Sequence, residues 1–153
     1  MQEAASTDIV RRRNHRPRLR EPHGTYFVTW CLAQGAPPLT AEERTVVAEC
    51  LQHFDGVRYR LYAWVVMDDH VHVVVTPLAS RTLDSIVHSW RSFVAHVLVP
   101  RGRSAPMWRR DEHDRIVRAD GELPEKVRYV AGNPWRRWPD ADRYPWVFPQ
   151  SEP

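Results

Sequence analysis

The sequence predicts an α+β domain: an antiparallel sheet of about four strands with helices on one face. Three observations carry this prediction. Strand-type and helix-type patterns alternate along the chain in the order β-α-β-β-α-β-α. Two Val-rich and aromatic stretches, residues 57–67 and 70–76, are separated only by Asp68-Asp69, which reads as a hairpin. Residues 82–98 repeat apolar side chains at helical spacing, a stripe that requires a covering surface.

Taken in order, residues 1–22 hold Arg11, Arg12, Arg13, Arg16, Arg18 and Arg20, broken by Pro17 and Pro22, with no apolar period. They read as a flexible arm, one that binds phosphates without sequence preference or simply keeps the chain in solution. The domain is expected over residues 23–134. Thr25–Ala33 is a strand by its β-branched and aromatic content. Thr40 and Glu43 form a capping box, and Val46, Val47, Cys50, Leu51 and Phe54 form the stripe of the helix that follows, ended by Asp55-Gly56. After the hairpin, Leu83, Ile86, Val87, Trp90, Phe93, Val94, Val97 and Leu98 mark the second helix as core-facing. Met107–Arg118 reads as a fourth strand with an irregular, basic start. Pro124 suits a first helical turn, opening a short helix to about Gly132 that Pro134 stops. Residues 135–153, rich in Trp and Pro, read as a tail packed onto the domain. The order matches a ferredoxin-like or RNA-recognition-like arrangement.

At 153 residues, 42% apolar and 27% charged, the composition is that of one globular domain. Net charge is only +3, but every basic residue except Lys126 is an arginine. Arginine forks phosphates and stacks on bases, which suits a nucleic-acid partner; a genome rich in G and C produces the same excess. Seven Trp and five Tyr supply stacking surfaces for single strands. Cys31 and Cys50 lack metal or redox spacing and read as buried thiols. No apolar run reaches membrane-spanning length and no signal-peptide core is visible, so a cytoplasmic protein with no membrane partner is expected.

The chemistry centres on His70-Val71-His72. On a strand these imidazoles point to the same side, where they can share a divalent metal or simply furnish a polar face. Tyr129 and Asn133, four residues apart, share a helix face if helical geometry persists that far. Metal on the His pair would polarise a phosphodiester, the Tyr129 phenol would attack phosphorus, and Asn133 could add an oxygen ligand. Open coordination positions suit Mg²⁺ or Mn²⁺. Arg101, Arg103, Arg109 and Arg110, with Arg115, Arg118 and Trp108 among them, are candidates for a DNA-backbone surface; balanced by Asp111, Glu112 and Asp114, they also fit a solvated face.

His70-Val71-His72 behind Trp64-Val65-Val66-Met67 resembles the His-hydrophobic-His signature of HUH single-tyrosine transposases. The succession Trp108, His113-Asp114-Arg115-Ile116-Val117-Arg118, Tyr129-Val130-Ala131-Gly132-Asn133-Pro134 and Asp142-Arg143-Tyr144-Pro145-Trp146 resembles the REP-associated tyrosine transposase branch. The resemblance runs from about Tyr26 to Trp146. It implies His70 and His72 as metal ligands, Tyr129 as nucleophile and Asn133 as third ligand. It also implies cleavage of single-stranded DNA beside hairpins of palindromic repeats, through a 5′-phosphotyrosine link that frees a 3′-hydroxyl. Monomers and homodimers are both compatible, since some members pair the His motif of one subunit with the Tyr of another. Asp68-Asp69 departs from the family's usual Pro-Asn, with turn formation or metal tuning as readings. Trp135-Arg136-Arg137-Trp138 replaces a Val-rich, Gly-containing segment and adds a basic, aromatic DNA-binding candidate. His113 and Asp114 match the pattern without an assignable step. Tyr144 is a rival nucleophile by residue type, although Pro145 argues against a helical setting. The alternatives are a non-catalytic single-strand-binding module on the same sheet and a metallohydrolase that activates water.

Overall fold

The computed structural model describes residues 10–12, 24–117 and 121–151, with side chains from residue 24 onward except those of 112–115. Its elements are β1 (Val10–Arg12), β2 (Thr25–Leu32), α1 (Ala41–His53), β3 (Tyr59–Val66), β4 (His70–Pro77), α2 (Leu83–Leu98), β5 (Trp108–Val117), α3 (Glu122–Arg137) and β6 (Val147–Phe148). The strands form one six-stranded sheet in the order β1-β5-β2-β4-β3-β6, every neighbouring pair antiparallel. The expected four strands are its centre. Two short edges complete it: β1, from within the expected flexible arm, pairs with β5, and β6, from the tail, pairs with β3.

Alternation sets the faces. In β2, Tyr26, Val28, Trp30 and Leu32 are buried towards α1 and α2, while Phe27, Thr29 and Cys31 take the other side. The Thr40–Glu43 capping box is present and starts α1. Val47 and Leu51 of α1 join Ile86, Val87 and Trp90 of α2 in this core. Phe93, within the expected apolar stripe, is instead 53% exposed.

The expectation of helices on one face is corrected: α1 and α2 cover one face and α3 lies on the other. On the α3 side, Val130 packs with Ala63, Val65 and Val74. The reason is visible in the central strands, which are apolar at both parities and therefore need cover on both sides.

The expected end of α3 at Gly132 is corrected as well. The helix runs through Pro134 to Arg137. A proline there removes one backbone hydrogen bond, but Asn133 and Pro134 are buried and Trp135 Nε1 donates to Ser151 Oγ. Packing outweighs the missing bond, and residues 135–137 belong to the helix rather than the tail. Among the described residues, no helix is long and apolar enough to cross a membrane.

Candidate active site

The hairpin turn closes at Met67, whose N–H donates to the His70 carbonyl, so β4 begins at His70 itself. Alternation then puts His70 and His72 on the α3 side, with Val71, Val73 and Val75 in the opposite core. Register places Cys31 beside His70 and Thr29 beside His72. The two imidazole centroids lie 4.6 Å apart at an interplanar angle of 71°. His70 Nδ1 is 2.7 Å from Asp69 Oδ1, and His72 Nδ1 is 2.7 Å from Thr29 Oγ1. His72 is 8% exposed and stacks on Phe27 at 5.2 Å. Burial above all, then the charges of His70 and Arg136, push its pKa down to about 3, so it is a neutral imidazole at pH 7.

Tyr129 comes to this pair from α3. Val130 and Ala131 anchor the helix on the sheet, and the side chain before them falls over the histidines. The Tyr129 ring centroid is 5.8 Å from that of His72 and 5.9 Å from that of Phe27, yet the residue remains 45% exposed. Asn133 lies buried one turn further on, and the helix is unbroken between them. Arg136, two turns from Tyr129, places its guanidinium 4.2 Å from the centre of the Tyr129 ring. Lys126 Nζ lies 5.6 Å from the centre of the Phe27 ring. Thr29, Phe27 and Lys126 were not among the residues expected from sequence. Cross-strand register and the placement of α3 bring them in, and no local motif signals either.

The remaining candidates divide. Arg101, Arg109 and Arg110 are exposed. Arg103 is corrected: its guanidinium grips both carboxylate oxygens of Glu43 and the carbonyls of Pro37 and Pro38, and its side chain is only 8% exposed. It is a structural clasp with four of its five N–H donors already engaged. Trp108 is corrected too: it is 6% exposed, sits edge-on against Trp30 and donates from Nε1 to the Arg91 carbonyl. Arg137 is half-exposed and binds Asp68 Oδ2 at 2.9 Å. Arg11 and Arg12 lie on β1, whose backbone pairs with Asp114 and His113; Arg13, Arg16 and Arg118 lie outside the described residues. His113 pairs in register with Thr29, the neighbour of His72. Tyr144 is 5% exposed, and its hydroxyl donates to the Val66 carbonyl at 2.6 Å; burial raises its pKa. That hydroxyl is tied to the backbone and enclosed, which argues against the rival assignment.

The donor set fits a divalent ion. Each imidazole has its Nδ1 engaged by an oxygen, which leaves Nε2 as the nitrogen outside those bonds, the arrangement that orients metal-binding histidines. Among the described residues, no three His, Cys, Asp or Glu side chains group as a metal site. The pair therefore resembles an open site that an oxygen donor and water would have to complete.

An antiparallel sheet carrying paired histidines beneath a tyrosine-bearing helix places the molecule in an α+β class with its candidate site on one sheet face. The same fold occurs in a REP-associated tyrosine transposase solved bound to a REP hairpin: TM-score 0.72, 17% identity, with 88% of this chain and 82% of that chain covered. A crystal structure of a candidate transposase from Deinococcus radiodurans R1 aligns at TM-score 0.42 and 15% identity, over 87% of this chain and 97% of that one. No family model matches the chain, and no curated protein matches it by sequence.

Proposed function

We propose that this chain is a cytosolic DNA strand transferase that cleaves single-stranded DNA beside hairpins, with Tyr129 as the nucleophile. One observation carries the reading: the Tyr129 ring sits 5.8 Å from His72, on a helix packed across the strand that bears both histidines. The shared fold with a hairpin-bound transposase supports hairpin DNA as the substrate class.

In this reading the Tyr129 oxygen attacks phosphorus and the bond from phosphorus to the 3′-oxygen breaks. The 5′-phosphate remains on the tyrosine, and the proton lost by the phenol is balanced by the one gained at the released 3′-hydroxyl. Attack by a new 3′-hydroxyl on the phosphotyrosine reverses the step and joins a different end. His70, His72 and Asn133 would hold Mg²⁺ or Mn²⁺, which supplies charge neutralisation at the scissile phosphate. Asp69 and Thr29 orient the two imidazoles. Arg101, Arg109, Arg110 and Arg137 remain the candidates for backbone contacts, which give affinity rather than sequence choice; the Arg136 guanidinium lies on Tyr129 instead.

The test is a denaturing gel with a labelled single-stranded hairpin and Mn²⁺. A protein–DNA adduct that is present in wild type and lost in Tyr129→Phe and His70→Ala is the expected result. Cleavage persisting in Tyr129→Phe would move the nucleophile to water or, with an adduct retained, to Tyr144. Binding without cleavage on several hairpins would replace the enzyme reading with a single-strand-binding module.

A further inference from the structure

We propose that Arg136 is the positioning residue of Tyr129: it holds the phenol over the histidine pair, through a gap that Gly132 leaves open. The inference rests on the reading of Tyr129 as nucleophile. Residues 129, 132 and 136 fall on one side of α3, and the long Arg136 side chain runs back along that side towards the helix start. Its Nη2 donates to the Tyr129 backbone carbonyl at 2.7 Å, and its guanidinium carbon lies 4.2 Å from the Tyr129 ring centre. One planar group thus grips both the backbone and the ring of the same residue.

The other sides of the ring are taken by Phe27, edge-on at 5.9 Å, and His72 at 5.8 Å. A tyrosine that is 45% exposed would otherwise exchange among rotamers. With Arg136 in place, three neighbours restrict it while the residue stays open to solvent. Gly132 adds an independent observation. Glycine is unfavourable inside a helix, but a Cβ at this position would meet Arg136 Nη1 at 3.3 Å, closer than the guanidinium tolerates without moving. The glycine therefore has a reason to be there: it is the floor on which the guanidinium lies.

Lysine cannot reproduce the grip, because a single ammonium does not stack as a plane while donating sideways. This separates positioning from simple phosphate attraction, which lysine would retain. Misplacing a reacting group by about an ångström costs on the order of 100-fold in rate. Arg136→Lys and Arg136→Gln are each expected to slow adduct formation at saturating hairpin DNA by ~10–100-fold, while hairpin affinity stays within about three-fold. Gly132→Ala should slow it in the same direction with thermal stability unchanged or higher.

A second readout needs no activity. The Tyr129 ring resonances, assigned by their loss in Tyr129→Phe, should carry ring-current shifts from Phe27 and His72 in wild type. In Arg136→Gln they should move towards free-tyrosine values. Unmoved Tyr129 resonances in Arg136→Gln would overturn the proposal. So would a variant that loses affinity yet keeps the wild-type rate at saturation, since Arg136 would then act as a phosphate contact alone. If wild type forms no adduct with any hairpin, the nucleophile reading fails, and the resonances alone decide whether Arg136 holds the ring.

Discussion

Arg103 offers a sharp test, because its place in the sequence suggests DNA and its place in the structure does not. Its guanidinium makes four hydrogen bonds: Nε to Glu43 Oε2 at 2.9 Å, Nη2 to Glu43 Oε1 at 2.7 Å, Nη1 to the Pro37 carbonyl at 2.6 Å and Nη2 to the Pro38 carbonyl at 2.8 Å. Glu43 also accepts the Thr40 N–H, so one carboxylate joins the start of α1 to the segments before it and after α2. Removing one partner of a buried pair costs about 3–5 kcal/mol. Glu43 keeps 19% side-chain exposure, so water recovers part of this and about 2–3 kcal/mol is expected for Arg103→Ala. For a chain of this length that lowers Tm by roughly 5–10 °C. Hairpin affinity and its salt slope should not change. The hydrogen bond from Arg103 is the largest cause holding the Glu43 pKa below its ordinary 4.5, ahead of the opposing effect of burial. A carboxylate with a depressed folded pKa contributes stability that is fully present above the unfolded value and is lost as pH falls through the folded one. The gap between wild type and Arg103→Ala should therefore be full at pH values well above the ordinary 4.5 and close as pH falls below it through the lowered folded value. Circular-dichroism melts across pH and fluorescence anisotropy across salt measure both. A Tm change under 2 °C together with a salt slope reduced by about one would refute the argument and return Arg103 to the DNA surface.

Two further outcomes follow from the same geometry. Tyr144→Phe removes the hydroxyl that donates to the Val66 carbonyl and should lower stability by about 1–2 kcal/mol in urea titrations while adduct formation continues; loss of the adduct would make Tyr144 the nucleophile. Asp69→Asn weakens the acceptor that holds His70 Nδ1 and should reduce Mn²⁺ affinity by ~10–100-fold by calorimetry; unchanged affinity would detach Asp69 from the metal.

Much of this was legible in the chain. His70 and His72 share a face because strands alternate, and a hairpin closed by Asp68-Asp69 fixes where the alternation starts. Thr40 and Glu43 bound a four-residue motif whose local chemistry caps a helix wherever it stands. What escaped was set by distant partners. Trp108 and Arg103 look like a basic, aromatic surface, yet Trp30 and Glu43 claim them from about 60 residues or more away. Pro134 is a local stop signal overruled by burial against the sheet. The second apolar parity of β3 and β4 was in plain view, and it calls for the cover on both faces that α3 completes. β6 is two residues long, below the reach of any periodicity.

The histidines and the tyrosine come together within a single chain, because α3 is anchored by Val130 to the same sheet that carries β4. In genetic terms, the lesions should not complement. Mixing His70→Ala protein with Tyr129→Phe protein should yield no adduct at any ratio, and the wild-type rate per chain should be independent of dilution. Restored activity in the mixture would mean that the tyrosine crosses to a second copy during the reaction.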